Sequence, residues 1–127
     1  MNATEHMAVL DHFFAAIQAG DIETVKATYH PDAEIWHNND NAVQGVADNL
    51  RTLSWVSHNI AGISYDDVKR TPMDDGKVIQ QHVLRGTAPN GKPLNVVACI
   101  VFTFDDGGRI TRLEEYLDTA QVAVITS

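Results

Sequence analysis

"FDDGGRITRLEEYLD" (residues 104–118) reads as a turn feeding a strand. Asp105, Asp106, Gly107 and Gly108 are turn residues, and the residues after them alternate. Leu113, Glu115 and Leu117 fall on one face of a strand; Glu114, Tyr116 and Asp118 fall on the other. Whichever face meets a core carries a carboxylate with it. A buried charge needs a partner, so this strand marks both the fold and a candidate site.

Working outward from it, "PLNVVACIVFTF" (93–104) is a long apolar strand, and "PNGK" (89–92) holds the Asn-Gly pair that favours a tight hairpin. "VIQQHVLRGTA" (78–88) and "GISYDDVKR" (62–70) are strand-like and are separated by the turn "DDGK" (74–77). The first half of the chain differs. Val9, Leu10, Phe13, Phe14 and Ile17 recur at helical spacing over about residues 4–19. Gly20 suits the left-handed stop, and Asp21 suits the N-cap of a second short helix, which runs to about Tyr29 and stops before Pro31. "AEIWHN" (33–38) is a short strand, and Val46, Leu50 and Leu53 fit a third helix ending near His58. Helices first and a meander second predict an α+β fold. Three N-terminal helices should pack in the concavity of a strongly curved, mostly antiparallel sheet, with strands near 33–37, 60–71, 77–88, 92–105 and 109–118.

Residues 1–127 are expected to form one domain, with 44% hydrophobic residues and no repeat or linker. Seventeen acids against nine bases give a formal charge of −8, which disfavours nucleic acid and anionic lipid as partners. No apolar run approaches the ~18 residues of a membrane span, and the start lacks a basic signal region, so a cytoplasmic location is expected. Cys99 lies in an apolar run, where a lone cysteine is a buried thiol and forms no internal disulfide. The six histidines show no close ligand spacing, and there is no phosphate loop or nucleophile elbow. Neither a metal nor a cofactor is expected.

The order of elements, together with "AGDIETV", "YHPDAEIW", "VQGVADNL" and "FTFDDGGRITRLEEY", resembles the SnoaL-like group of the nuclear transport factor 2-like superfamily, over nearly the whole chain. The resemblance implies a cone-shaped α+β barrel, in which a bent sheet wraps the helices around a pocket open at one end. Relatives include ketosteroid isomerases, polyketide cyclases, limonene epoxide hydrolases and non-catalytic binding modules, so the site must be argued residue by residue. The isomerase pattern puts Phe13 at the place of a tyrosine, His37 at the place of the base and Ile100 at the place of a second acid. Both oxyanion donors are then absent, and such donors contribute on the order of 3 kcal/mol each. Classical ketosteroid isomerase chemistry is therefore not expected. The ending "EYLD" (115–118) resembles that of the epoxide hydrolases, but "QQHVLR" (80–85) lacks the aspartate of their relay.

The same alignment implies a pocket lined by Phe13, Ile17, Ile35, Trp55, Gln81, Val83, Arg85, Ile100, Phe102, Leu113 and Leu117, with His37 and Glu115 as the catalytic pair. Two partners for Glu115 remain open, His37 or an ion pair with Arg85. Asp118 is expected to cap the chain end. The ligand should be a small apolar carbonyl or polyketide-like molecule. The protein would act on it as a cofactor-independent acid–base enzyme of isomerase, cyclase or hydrolase type, or bind it without chemistry. Parity puts Val78, His82, Leu84, Val97, Val101, Tyr116 and Trp36 on the outer sheet face, where so apolar a patch predicts a homodimer.

Overall fold

A computed structural model describes residues 1–126. Helix α1 (Ala3–Ala19) opens on a capping box: Asn2 accepts from the Glu5 N–H at 2.9 Å, and Glu5 reaches back to the Asn2 N–H. It ends at Gly20, whose φ of 70° a residue with a Cβ adopts only under strain. Asp21 caps α2 (Ile22–Thr28) by accepting from the Thr24 N–H at 3.2 Å. Strands β1 (Tyr29–His37) and β2 (Ala42–Gln44) precede α3 (Val46–Asn59). Strands β3 (Ala61–Pro72), β4 (Val78–Thr87), β5 (Pro93–Phe104) and β6 (Ile110–Leu117) complete the sheet. Asp118 caps the short helix α4 (Thr119–Val122), which a 3₁₀ turn (Ala123–Thr126) follows.

The sheet runs β2-β1-β6-β5-β4-β3. β1 and β6 pair parallel, and every other pairing is antiparallel. The register of β3 slips twice against β4, between Ala61 and Ser64 and between Asp66 and Lys69. Gly62 and Asp67, both at positive φ, lie within those slips. Bulges of this kind bend a strand and increase its twist, which lets the sheet wrap around the helices without closing.

The main core joins Leu10, Phe13, Phe14 and Ile17 of α1 to Ile35, Val78, Ile100, Phe102, Ile110 and Leu113 of the sheet. A second cluster of Ile60, Leu94 and Val96 lies against Leu84, Leu117 and the C-terminal Val122, Val124 and Ile125.

The structure differs from the sequence expectation at defined places. The curved sheet is as expected, but β2 is an extra edge strand and α4 is a fourth helix. The inward face of β4 carries Val78, Gln80, His82 and Leu84, opposite to the expectation. β5 sets this parity. Gln80 pairs with Ile100 and His82 with Ala98, and residues opposite each other in an antiparallel pair share a face. Val78 and His82 are accordingly buried and cannot belong to an outer face, and Leu84 joins the second cluster. Gln81, Val83 and Arg85 stand on the outside, where Arg85 pairs with Asp66 at 3.0 Å and Asp67 at 3.4 Å. Cys99 is half-buried on that same outer side.

Candidate active site

Glu115 is seated between two inward neighbours in the sheet. The parallel β1–β6 ladder sets it opposite His37, and the antiparallel β5–β6 ladder sets it opposite Ile100. The His37 Nε2 and Glu115 Oε1 are 2.9 Å apart, with each side chain about four-fifths buried. The backbone around the pair is clamped at the strand ends. Asn38 donates through Nδ2 to the Leu117 carbonyl (3.2 Å) and accepts from the Leu117 N–H (3.0 Å). Its own N–H donates to the Glu115 carbonyl at 3.1 Å. The partner of Glu115 is therefore His37 and not Arg85, which faces away.

The pair borders an interior cavity of about 50 Å³. Among the expected lining residues, Phe13, Ile17, Ile100 and Leu113 form its walls. Ile35 and Phe102 are fully buried in the main core, and Leu117 faces inward but packs in the second cluster. Trp55 is 46% exposed on α3. Gln81, Val83 and Arg85 line an outer groove or ion pair and do not reach the cavity.

The structure adds walls that the sequence did not single out: Phe14, Tyr29, Asn49, Leu53 and Tyr65. Tyr29 donates its hydroxyl to Asn49 Oδ1 at 2.8 Å, a buried bond between β1 and α3. Tyr65 comes from the bulged part of β3 and packs edge-on to Phe14 with ring centres 4.6 Å apart. Its signal was the lone aromatic in "GISYDDV" (62–68), a strand whose bulges defeat parity. Phe13 and Ile100 offer no polar hydrogen, and the polar side chains on the cavity walls are His37, Glu115, Tyr29, Asn49 and Tyr65.

Electrostatics organise these groups around Glu115. Burial pushes the His37 pKa down, but the hydrogen bond to Glu115, its charge and the charge of Asp40 outweigh burial and hold it above the ordinary histidine value. Burial followed by the Glu115 charge pushes the Tyr29 and Tyr65 phenols far above their usual range, so both stay neutral donors. Among the described residues no cluster of ligating side chains is built to hold a metal ion, and no helix is long and apolar enough to cross a membrane.

The model of the SnoaL-like domain matches residues 10–113. The chain belongs to the SnoaL-like domain family. No curated protein sequence matches it significantly. Solved structures share the fold at low identity. A candidate isomerase from Bacillus subtilis superposes with a TM-score of 0.86 at 18% identity, covering 99% of this chain and 96% of the other. A candidate polyketide cyclase from Xanthomonas campestris pv. campestris gives 0.84 at 20% identity, with both chains covered completely. TerC co-crystallised with polyporic acid gives 0.81 at 22% identity, covering 97% and 99%. This SnoaL-like domain therefore has the α+β cone architecture of the nuclear transport factor 2-like superfamily, with its sheet left open.

The His37–Glu115 pair carries a stability signature. A histidine whose folded pKa is raised stabilises the fold below its unfolded value of about 6.5, and this contribution disappears as pH rises through the folded value. Chemical denaturation between pH 6 and pH 9 is expected to show the wild-type advantage over His37→Gln shrinking as pH rises. An advantage that grows with pH would contradict the pairing.

Proposed function

We propose that this SnoaL-like domain is a cofactor-independent acid–base enzyme acting on a small, apolar, carbonyl-bearing or polyketide-like compound, with His37 and Glu115 as its chemical pair. The observation that carries this is the 2.9 Å His37–Glu115 contact on the border of the interior cavity, beside the apolar Phe13, Phe14, Ile17, Ile100 and Leu113. A raised histidine pKa favours the protonated ring near neutrality, so His37 serves as the acid and Glu115 as the acceptor. Glu115 takes a proton from a carbon next to the carbonyl. His37 then delivers a proton to the resulting enolate, at carbon or at oxygen, and is reprotonated through the pair. Groups placed in this way contribute on the order of 10²–10⁴ in rate.

The fold relatives named as an isomerase and a polyketide cyclase support this class, and TerC crystallised with polyporic acid supports a small organic ligand. Size constrains the ligand. A cavity of about 50 Å³ has room for a few waters, whereas pockets for drug-sized ligands are roughly 300–1,000 Å³. A larger substrate therefore requires half-buried wall residues such as Leu53 to move outward. The same small cavity, with His37 and Glu115 already satisfying each other, favours the alternative of a binding or sensing module.

Solvent deuterium incorporation into a panel of small cyclic ketones and diketones separates the two. Wild-type protein is expected to exchange the α-proton, and His37→Ala and Glu115→Gln to lose about a hundredfold of that rate. If both variants exchange like wild type, the pair is structural and the binding module replaces the enzyme.

We further propose a homodimer through the outer sheet face, now defined by Ile79, Val83, Val97, Val101, Trp36 and Tyr116. Val97 is 55% and Tyr116 46% exposed there, side by side on a shallow groove of about 330 Å³. Sedimentation at micromolar concentration is expected to give a dimer that Val97→Asp dissociates; a wild-type monomer would refute it.

A further inference from the structure

We infer that His82 is the hydrogen-bond donor for the carbonyl oxygen of a bound ligand, presented through Nε2–H by an Asp11–Arg70–Gln80 chain that fixes the ring's tautomer. The inference deepens the proposed function and rests on its assignment of the cavity as a ligand site.

The chain of bonds determines which nitrogen carries the proton. Arg70 Nε donates to Gln80 Oε1 at 2.7 Å. A guanidinium can only donate, so the Gln80 oxygen must face it, and the amide nitrogen must face His82. That nitrogen lies 2.9 Å from His82 Nδ1. An amide N–H₂ has no lone pair to offer, so Nδ1 accepts and the ring proton resides on Nε2. Arg70 is itself anchored, by an ion pair to Asp11 and by a donor contact of 3.4 Å to the Met7 carbonyl on α1.

Nε2 is left as a buried donor. It has no partner among the described residues, and His82 is only 3% exposed. Buried N–H groups without acceptors are uncommon and costly, so each calls for an explanation. The surroundings supply one. The His82 ring packs edge-on to Tyr65 (5.1 Å between centres) and Phe14 (5.7 Å), and both of these rings are cavity walls. Its cross-strand neighbour is Ala98, a small residue among the larger inward side chains of β5; His82 is not itself a wall of the cavity. Burial lowers the basicity of His82, the Glu115 charge opposes this and the Arg70 charge adds to it, with the net effect downward. The ring is thus a neutral donor, suited to polarising a carbonyl that lies between it and Glu115. It supplies what Phe13 and Ile100 cannot. The ligand class that follows is an uncharged compound with one acceptor oxygen and an apolar body.

Two probes of nearly the same shape test this: cyclohexanone, which accepts a hydrogen bond, and methylenecyclohexane, which does not. Binding is followed by NMR on protein labelled with ¹⁵N-histidine. The expected result is the Nε2–H tautomer at His82 in the free protein, a downfield shift of that proton with the ketone, and ketone affinity about tenfold above the alkene, the scale of one net hydrogen bond. His82→Phe is expected to equalise the two affinities; if that variant does not fold, the wild-type tautomer and probe comparison decide alone. Equal wild-type affinities, or a proton on Nδ1, overturn the inference while leaving the His37–Glu115 pair intact. Binding of neither probe overturns both this inference and the ligand-site assignment. A ketone preference that persists while His37→Ala and Glu115→Gln exchange normally overturns only the proposed acid–base chemistry.

Discussion

The seating of Glu115 in the parallel β1–β6 ladder is the constraint on which the rest of the site depends. Parallel pairing places it directly beside His37, and the β5 ladder places it beside Ile100. A carboxylate on the concave face of a sheet is costly unless it is paired and hydrogen-bonded. His37 provides the pair at 2.9 Å, and Asn38 locks the two strands together where the pair sits. The charge then acts on its neighbours, raising the basicity of His37 and keeping Tyr29 and Tyr65 protonated. Removing Glu115 would change four groups at once, because Glu115 also acts on His82.

The helices and the sheet divide the work. α1 contributes Phe13, Phe14 and Ile17, an apolar floor beside the pair. The bulged β3 brings Tyr65 over that floor, and its Arg70 reaches both α1, through Asp11, and β4, through Gln80. The polar network is thus built on rigid elements rather than on loops, as a preorganised site requires. Outside this region, the C-terminal turn packs on the second apolar cluster.

How much of this was legible depended on how one-sided each strand is. β6 was readable because Leu113 and Leu117 flank Glu115 on one face. That parity, carried across by the resemblance, brought His37 to the same side. β4 was not readable. Val78, Gln80, His82 and Leu84 on one face and Ile79, Gln81, Val83 and Arg85 on the other are equally mixed, and a one-residue slip exchanges them. Only pairing with β5, a long-range interaction, resolves the choice. That single ambiguity removed His82 from the site and put Arg85 into it. Trp55 failed for a related reason: at about 100° per residue it lies roughly 140° around the helix from Leu50, off the buried face. β2 and α4 are too short to show any periodicity.

The central claim is that one buried carboxylate, Glu115, governs the interior of the cone. An NMR titration that follows the His37 and His82 rings in the same samples tests it most directly. The account predicts a His37 midpoint above the ordinary value near 6.5 and a His82 midpoint below it, with both moving down in Glu115→Gln, because the lost charge supported protonation at each. Midpoints that do not move in Glu115→Gln, or a wild-type His37 that titrates below a solvent-exposed histidine, would contradict it.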